Sequence, residues 1–279
     1  MSAGATLRTA APDEVARMLD WAAAEGWNPG LEDAAAFRAA DPDGFFVAEA
    51  GGEIVAAISV VNHGPGFAFL GLYLCVPERR GQGIGYALWT HALAHAEGRT
   101  VGLDGVEAQQ GNYATSGFVR TGATTRWEGT APAATDPRIR DMGAGDAPAL
   151  AALDEAANGV ARPRFLAAWL APSETRRTLV LDGPHGPAGF ATARLCREGA
   201  KVGPVIAPDA AAALALTAAA ARAVGAARIA VDLPAQAGEF AGLLKAAGFA
   251  PGFTTARMYK GPAPRTGPGL HAIATMELG

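Results

Sequence analysis

Three glycines at alternate positions, Gly81, Gly83 and Gly85, follow an apolar segment ending at Val76-Pro77 and precede residues Ile84, Leu88 and Ala92, which recur at helical spacing. Stripping side chains from a strand-to-helix turn lets backbone N–H groups approach an anion. The four unpaired donors of a helix N-terminus point the same way. A pyrophosphate is the natural guest, and Arg79 and Arg80 add positive charge at its mouth. Spacing narrows the choice. A dinucleotide fingerprint needs a third glycine after G-x-G-x-x, but Gly81-Gln82-Gly83-Ile84-Gly85 is followed by Tyr86. A Walker loop requires Gly-Lys-Ser/Thr, but Tyr86-Ala87 follows Gly85 and no lysine precedes Lys201.

Other reactive side chains are easier to dismiss. His91 and His95 share a helical face, but residue 92 is alanine, so no zinc-hydrolase motif is formed and no metal is expected. His63 and His185 sit in glycine- and proline-rich turns. The two cysteines, Cys75 and Cys196, lie in apolar runs, which excludes a disulfide framework and predicts inert thiols in a reducing cytoplasm. Asp104 is different, because an acid inside the apolar run Val101–Val106 needs a reason. Hydrogen bonding to neighbouring backbone or a chemical role would each supply one.

The chain has 279 residues, half of them hydrophobic, with a net charge of −4. That balance argues against a broad basic surface for nucleic acid or anionic membrane and favours a diffusible small substrate. The opening Met1–Arg8 has no apolar leader core, and no segment reads as a membrane span. Residues 1–135 carry 8 Arg and no Lys against 15 Asp/Glu, whereas 136–279 carry 15 basic against 12 acidic residues. Drift in surface composition is the simpler account of this asymmetry; a cleft with walls of opposite charge is the other.

The elements that must position the loop follow from period and punctuation. Helices are predicted near 13–25 and 32–40, and strands at 45–50 and 53–61 joined by Gly51-Gly52. A strand at 67–76, a helix from the glycine loop to about Ala96, a strand at 99–106 and a last strand beginning near Gly117-Phe118 complete the first half. Gly129–Pro137 reads as a linker. The order then recurs: helices near 146–157 and 163–170, strands at 178–181, 188–196 and 202–206, a helix at 209–224, a strand at 228–233, a helix at 239–247. A final strand pair is predicted at 254–259 and 271–278. Leu72–Pro77, a helix, Val101–Val106 and Gly117-Phe118 lie over Gly203–Pro208, a helix, Ile229–Pro234 and Gly248-Phe249, which points to duplication of one α/β unit. The second copy has Pro208-Asp209-Ala210-Ala211-Ala212 where the glycines stand in the first, and so has no phosphate cradle.

The thirteen residues Val76-Pro77-Glu78-Arg79-Arg80-Gly81-Gln82-Gly83-Ile84-Gly85-Tyr86-Ala87-Leu88 resemble the acetyl-CoA loop of the GNAT N-acetyltransferase family. The wider chain resembles its two-domain branch, through Glu25–Gly30, Gly102–Val106 and Ala272–Leu278. The resemblance implies tandem α/β (α+β) domains, each a mixed, mainly antiparallel sheet flanked by helices: residues 1–130 bind acetyl-CoA, and a degenerate 137–279 shapes the acceptor site. It implies that Leu74 and Val76 offer backbone groups to the pantetheine arm and that the Arg79–Tyr86 loop takes the pyrophosphate.

An acetyltransferase also needs a proton for the departing thiolate. Tyr113, five residues before Phe118 in a Gly-Phe pair, has the family's spacing for that donor, although the glycine-broken Gln109-Gln110-Gly111-Asn112 before it departs from the pattern. Packing is its rival role. Asp104, then Glu107, are the candidates for a base, with ordered water as the alternative. Trp27 and Asn28 lie in the loop that lines the acceptor side in this fold. The expected reaction is direct attack by a small-molecule amine on acetyl-CoA in a ternary complex; a non-catalytic acyl-CoA-binding or regulatory protein is the alternative.

Overall fold

The computed structural model describes residues 4–279, so residues 1–3 of the opening segment lie outside it. The first half runs β1 (Thr6–Thr9), α1 (Pro12–Ala24), α2 (Asp33–Ala40), β2 (Phe45–Ala50), β3 (Glu53–Asn62), β4 (Phe67–Cys75), α3 (Ile84–Leu93), β5 (Thr100–Gly105), α4 (Gln110–Thr115) and β6 (Val119–Thr130). The second repeats that order with β7 (Ile139–Asp141), α5 (Ala147–Asn158), α6 (Pro163–Leu170), β8 (Arg176–Gly183), β9 (Gly186–Leu195), β10 (Ala200–Ile206), α7 (Ala210–Ala223), β11 (Arg228–Pro234), α8 (Gly238–Ala246) and β12 (Ala250–Lys260). One extra strand, β13 (Leu270–Ala272), follows.

Local chemistry explains the boundaries. Pro12 opens α1, and Glu14 reaches back to accept from the Ala11 N–H at 2.6 Å while Arg8 holds the same carboxylate. Val15, Met18, Leu19 and Ala22 then form its buried stripe. Gly51 and Gly52, at φ 63° and 81°, make the β2–β3 turn that needs two left-handed residues. Asp209 caps α7 by accepting from the Ala212 N–H at 2.8 Å, where the first half has glycines.

The sheet is continuous through both halves and is mostly antiparallel, in the order β1-β2-β3-β4-β5-β12-β6-β11-β10-β9-β8-β7. The last strands of the two halves are exchanged: β12 pairs with β5 of the first half, and β6 with β11 of the second. The exchanged strands pair with each other, with the equivalent residues Thr124 and Thr255 opposite one another. The expected final strand pair is therefore corrected. β12 and β13 do not pair together; β13 lies on β10, and residues 273–278 are not a strand. An alternating pattern tells which face a strand buries but not which edge it joins.

Two salt bridges occupy equivalent places across the exchange. Arg257 of β12 grips Asp104 of β5, and Arg126 of β6 grips Asp232 of β11, each bidentate at 2.7–3.0 Å and each in direct cross-strand register. The charge asymmetry is in part internal rather than superficial: Asp33 of α2 is buried against Arg176 and Arg194 of the second half at 2.9 and 3.0 Å. One core cluster packs α1, α2, α5 and α6 with the chain's last residues, while two others pack α3 and α7 on their own halves.

The two halves treat the equivalent gap in the sheet differently. Parallel pairing of β4 with β5 covers Phe67 to Leu70 and then stops, leaving the strands splayed beyond Leu70 and Leu103. Pairing of β10 with β11 covers only Ala200 and Lys201, but there β13 fills the splay, bonding to β10 while Ile273 N–H donates to Asp232 O at 3.0 Å.

Candidate active site

The glycine loop stands at the mouth of the open splay. Gly81 and Gly83 adopt φ 75° and 79°, a region that side chains disfavour, and nothing lies where a Cβ would be added. Backbone conformation, not crowding, calls for glycine there. Gly85 differs, because a Cβ would stand 2.8 Å from the Tyr73 hydroxyl. Gly83 caps α3, so the amides of that helix's first turn face the groove. Arg80 donates to Cys75 O and Glu25, both at 2.9 Å, in an exposed ion pair that an anion can displace. Arg79, Gln82 and Tyr86 are also exposed, whereas Ile84 anchors the helix in the core.

Past Leu70, β4 bulges at Leu72, whose φ of 48° is unusual for a side-chain-bearing residue. The resulting groove, of about 470 Å³, is lined by the glycine loop, Tyr73, Leu74 and Cys75 on one side and by Val106 and Gln109 on the other. Val76 contributes less than expected, since its N–H bonds Val55 O and its carbonyl accepts from the Arg79 N–H.

The groove adjoins a smaller cavity of about 80 Å³, the two sharing Trp27, Tyr73, Val106 and Gln109. At roughly 10–15 Å³ per water, the cavity admits a handful of waters or one small group. Its wall is mainly apolar: Leu70, Leu72, Leu103, Phe253 and Met276 among others.

Tyr113 lines this cavity, 7% exposed, with its ring stacked on Trp89 at 5.3 Å. The other ring face lies over Gly105, where a Cβ would approach to 2.9 Å. Packing on these two neighbours aims the ring, so the packing and chemical roles are compatible. Burial, reinforced by Tyr73, pushes the Tyr113 hydroxyl above the ordinary phenol range, which keeps it protonated at neutral pH. Burial likewise raises the Cys75 thiol, as an inert cysteine requires.

Asp104 also lines the cavity, but its side chain is fully buried and committed. Arg257 engages both oxygens, and Thr124 and Thr255 donate to Oδ1 at 3.0 and 3.3 Å. A carboxylate so held joins two strands, with both oxygens already bonded. Glu107 is exposed and lines neither space. Trp27 lies where the two spaces meet, its carbonyl accepting from Arg126 and Lys201. Asn28 points away, its amide exchanging hydrogen bonds with the Glu198 backbone. Its backbone is left-handed, with φ 49°.

Sequence reasoning missed Gln109, Arg126, Phe253, Met276 and Glu277, all of which line the cavity. Arg126 and Phe253 come from the exchanged strands β6 and β12, and Met276 and Glu277 from the tail after β13. One signal was available: the internal repeat superposes Asp104 on Asp232 and Arg126 on Arg257, marking both pairs together. Among the described residues no cluster could hold a metal ion, and no helix is long and apolar enough to cross a membrane.

Comparison with known proteins agrees on the tandem arrangement. Residues 13–122 match the profile of the acetyltransferase (GNAT) family, and residues 150–269 match that of a GNAT acetyltransferase domain. A protein of Pseudoalteromonas sp. (strain SANK 73390) named Holothin acyltransferase is 33% identical over 98% of this chain and 94% of its own. A solved structure from Pyrococcus horikoshii assigned to the acetyltransferases superposes with a TM-score of 0.84 over 99% of this chain and 96% of its own, at 20% identity. A tandem GNAT protein from the clavulanic acid biosynthesis pathway does so with a TM-score of 0.62 over 93% of this chain and 99% of its own, at 18% identity.

Proposed function

The chain belongs to the GNAT acyltransferase family, with two of its domains in tandem, and from that premise we propose that it transfers an acetyl group from acetyl-CoA to the amine of a small-molecule acceptor. The observation that carries this reading is the asymmetry of two equivalent gaps. One is open, with bare amides and two arginines at its mouth and a small, mainly apolar cavity beside it; the other is filled by β13 and has no glycine loop. On this reading residues 1–130 form the cofactor-binding unit, and 137–279 complete the acceptor side and lend β12. Metabolic amines and acetyl-CoA place the reaction in the cytoplasm.

The residues divide the work by position. The amides from Gly81 to Tyr86 hold the pyrophosphate, with Arg79 and Arg80 adding charge that the loop alone lacks. The edge around Leu74 and Val76 guides the pantetheine arm into the splay. Bound acetyl-CoA supplies an activated thioester carbonyl at the junction of groove and cavity. Trp27 and Gln109 border that junction and exclude bulk water. Tyr113 gives its proton to the departing thiolate; transfer from a phenol of ~10 to a thiol of ~8.5 is uphill, and burial steepens it, so proximity must compensate.

Incubating the protein with acetyl-CoA and a panel of aryl, alkyl and sugar amines, holothin included, should release free thiol and yield an acetylated amine by mass spectrometry. No thiol release across the whole panel would refute the reading. Tyr113→Phe should leave cofactor binding intact while turnover falls ~10²–10⁴-fold.

A further inference from the structure

Two carboxylates line the small cavity, Asp104 and Glu277, and they differ in what holds them. Arg257 takes both oxygens of Asp104. Glu277 is 4% exposed, yet no Lys, Arg or His nitrogen lies within salt-bridge distance of it among the described residues. Its Oε2 accepts from Thr275 Oγ1, and no described group donates to Oε1. Three cations lie nearby without hydrogen-bonding it: Arg126 donates to Asp232 and Trp27 O, Arg194 to Asp33 and Ala274 O, and Lys201, which pairs with no described carboxylate, to Trp27 O. Glu277 thus sits among cations that do not bond it, held by one hydroxyl, with Oε1 left free where it lines the cavity.

The segment carrying Glu277 is firmly placed. His63 Nε2 lies 2.8 Å from Leu278 O, Arg162 donates to Gly279 O, Arg194 donates to Ala274 O, and every residue from Leu270 to Gly279 is buried. Gly71, at the start of the β4 bulge, has no Cβ because Glu277 O would stand 2.1 Å from one. The tail is thus fitted against the strand that opens the cofactor groove.

We propose that Glu277 receives the proton of the acceptor's ammonium group in this cavity, making a residue from the last turn of the second half the base for transfer at the first half's cofactor site. This rests on the acyl-transfer reading above. A cationic amine docks against Oε1 and passes one proton to it. The freed nitrogen lone pair forms the N–C bond at the thioester carbonyl, the C–S bond breaks with its electron pair going to sulfur, and Tyr113 protonates the thiolate. The nitrogen's second proton replaces the one Tyr113 gave, and Glu277 returns its own to solvent. The sum is ammonium plus thioester giving amide, thiol and one proton. With Leu70, Leu72, Leu103, Phe253 and Met276 beside one carboxylate whose Oε1 is free, the acceptor class is a small, largely apolar amine that is cationic in water.

The test is Glu277→Gln, assayed with whichever of benzylamine, phenethylamine and tyramine the wild type acetylates fastest. Groups facing Glu277 are Lys201 and Arg194 from the second half and Tyr73, Asp104, Tyr113 and Arg126 from the first. They are common to both proteins and cancel in the comparison. The variant should bind coenzyme A as the wild type does, lose ~10²-fold or more in kcat/KM for the amine at pH 7, and recover about tenfold per pH unit as free amine becomes available. Turnover by Glu277→Gln within about threefold of wild type, or a deficit constant with pH, would overturn the proposal. A wild type inert toward every amine would instead sink the functional reading itself.

Discussion

His63 should make this protein sensitive to mild acid, and the size of the effect follows from its surroundings. The ring is 6% exposed, stacks near Phe67, and meets Phe165 edge-on. Because Leu278 O can only accept, Nε2 carries the hydrogen and Nδ1 is left bare, buried and without a partner. Burial first, then repulsion from Arg162, pulls the imidazole down to about 3. The unfolded ring titrates near ~6.5, so below that value the unfolded chain binds a proton that the native protein refuses, and stability falls as pH falls. At ~1.4 kcal/mol per pH unit, this one group removes about 2 kcal/mol between pH 7 and pH 5. His63→Gln can still donate to Leu278 O but cannot titrate. Urea unfolding at pH 7, 6 and 5 should show the wild type losing about 2 kcal/mol more than the variant over that range. Depressed carboxylates such as Asp33 lose their contribution only in stronger acid, and do so in both proteins. Parallel stability profiles, or a steeper one for the variant, would refute the reasoning.

The Asp104–Arg257 pair should behave as a strand clamp. Asp104→Asn and Arg257→Met should each cost on the order of 3–5 kcal/mol and the double variant clearly less than their sum, while kcat per folded molecule stays within about tenfold of wild type. A ~10²-fold fall in kcat for Asp104→Asn would restore it as the base. Gly105→Ala should destabilise by about 1–3 kcal/mol and lower kcat without weakening coenzyme A binding, because its Cβ would press on the Tyr113 ring. Equal kcat in variant and wild type would mean that the ring's placement is unimportant. Residues 1–130 expressed alone lack the strand that separates β5 from β6 and should fail to fold by circular dichroism. A folded fragment that binds coenzyme A would contradict the interlocked architecture.

Much of this molecule is legible residue by residue. Helical spacing finds α1 from Val15, Met18, Leu19 and Ala22, paired glycines find the β2–β3 turn, and the repeat finds the correspondence of β4, α3 and β5 with β10, α7 and β11. Short strands escape: β1 and β7 are four and three residues long, too brief for a period to register. The exchange of β6 and β12 escapes for a different reason, since both strands carry the same pattern and either would satisfy β5. That ambiguity hid the cavity as well. Phe253 and Glu277 are far in sequence from the glycine loop and enter the cavity only through long-range packing, whereas Asn28 and Glu107, which lie in the same half as the loop, line neither space.

The account depends on one open gap gripping one diphosphate. Calorimetric titration with coenzyme A should give a single site per chain, abolished in Gly83→Val, where a β-branched side chain cannot adopt the φ of 79° that the loop requires. Two sites per chain, or undiminished binding by the variant, would contradict it.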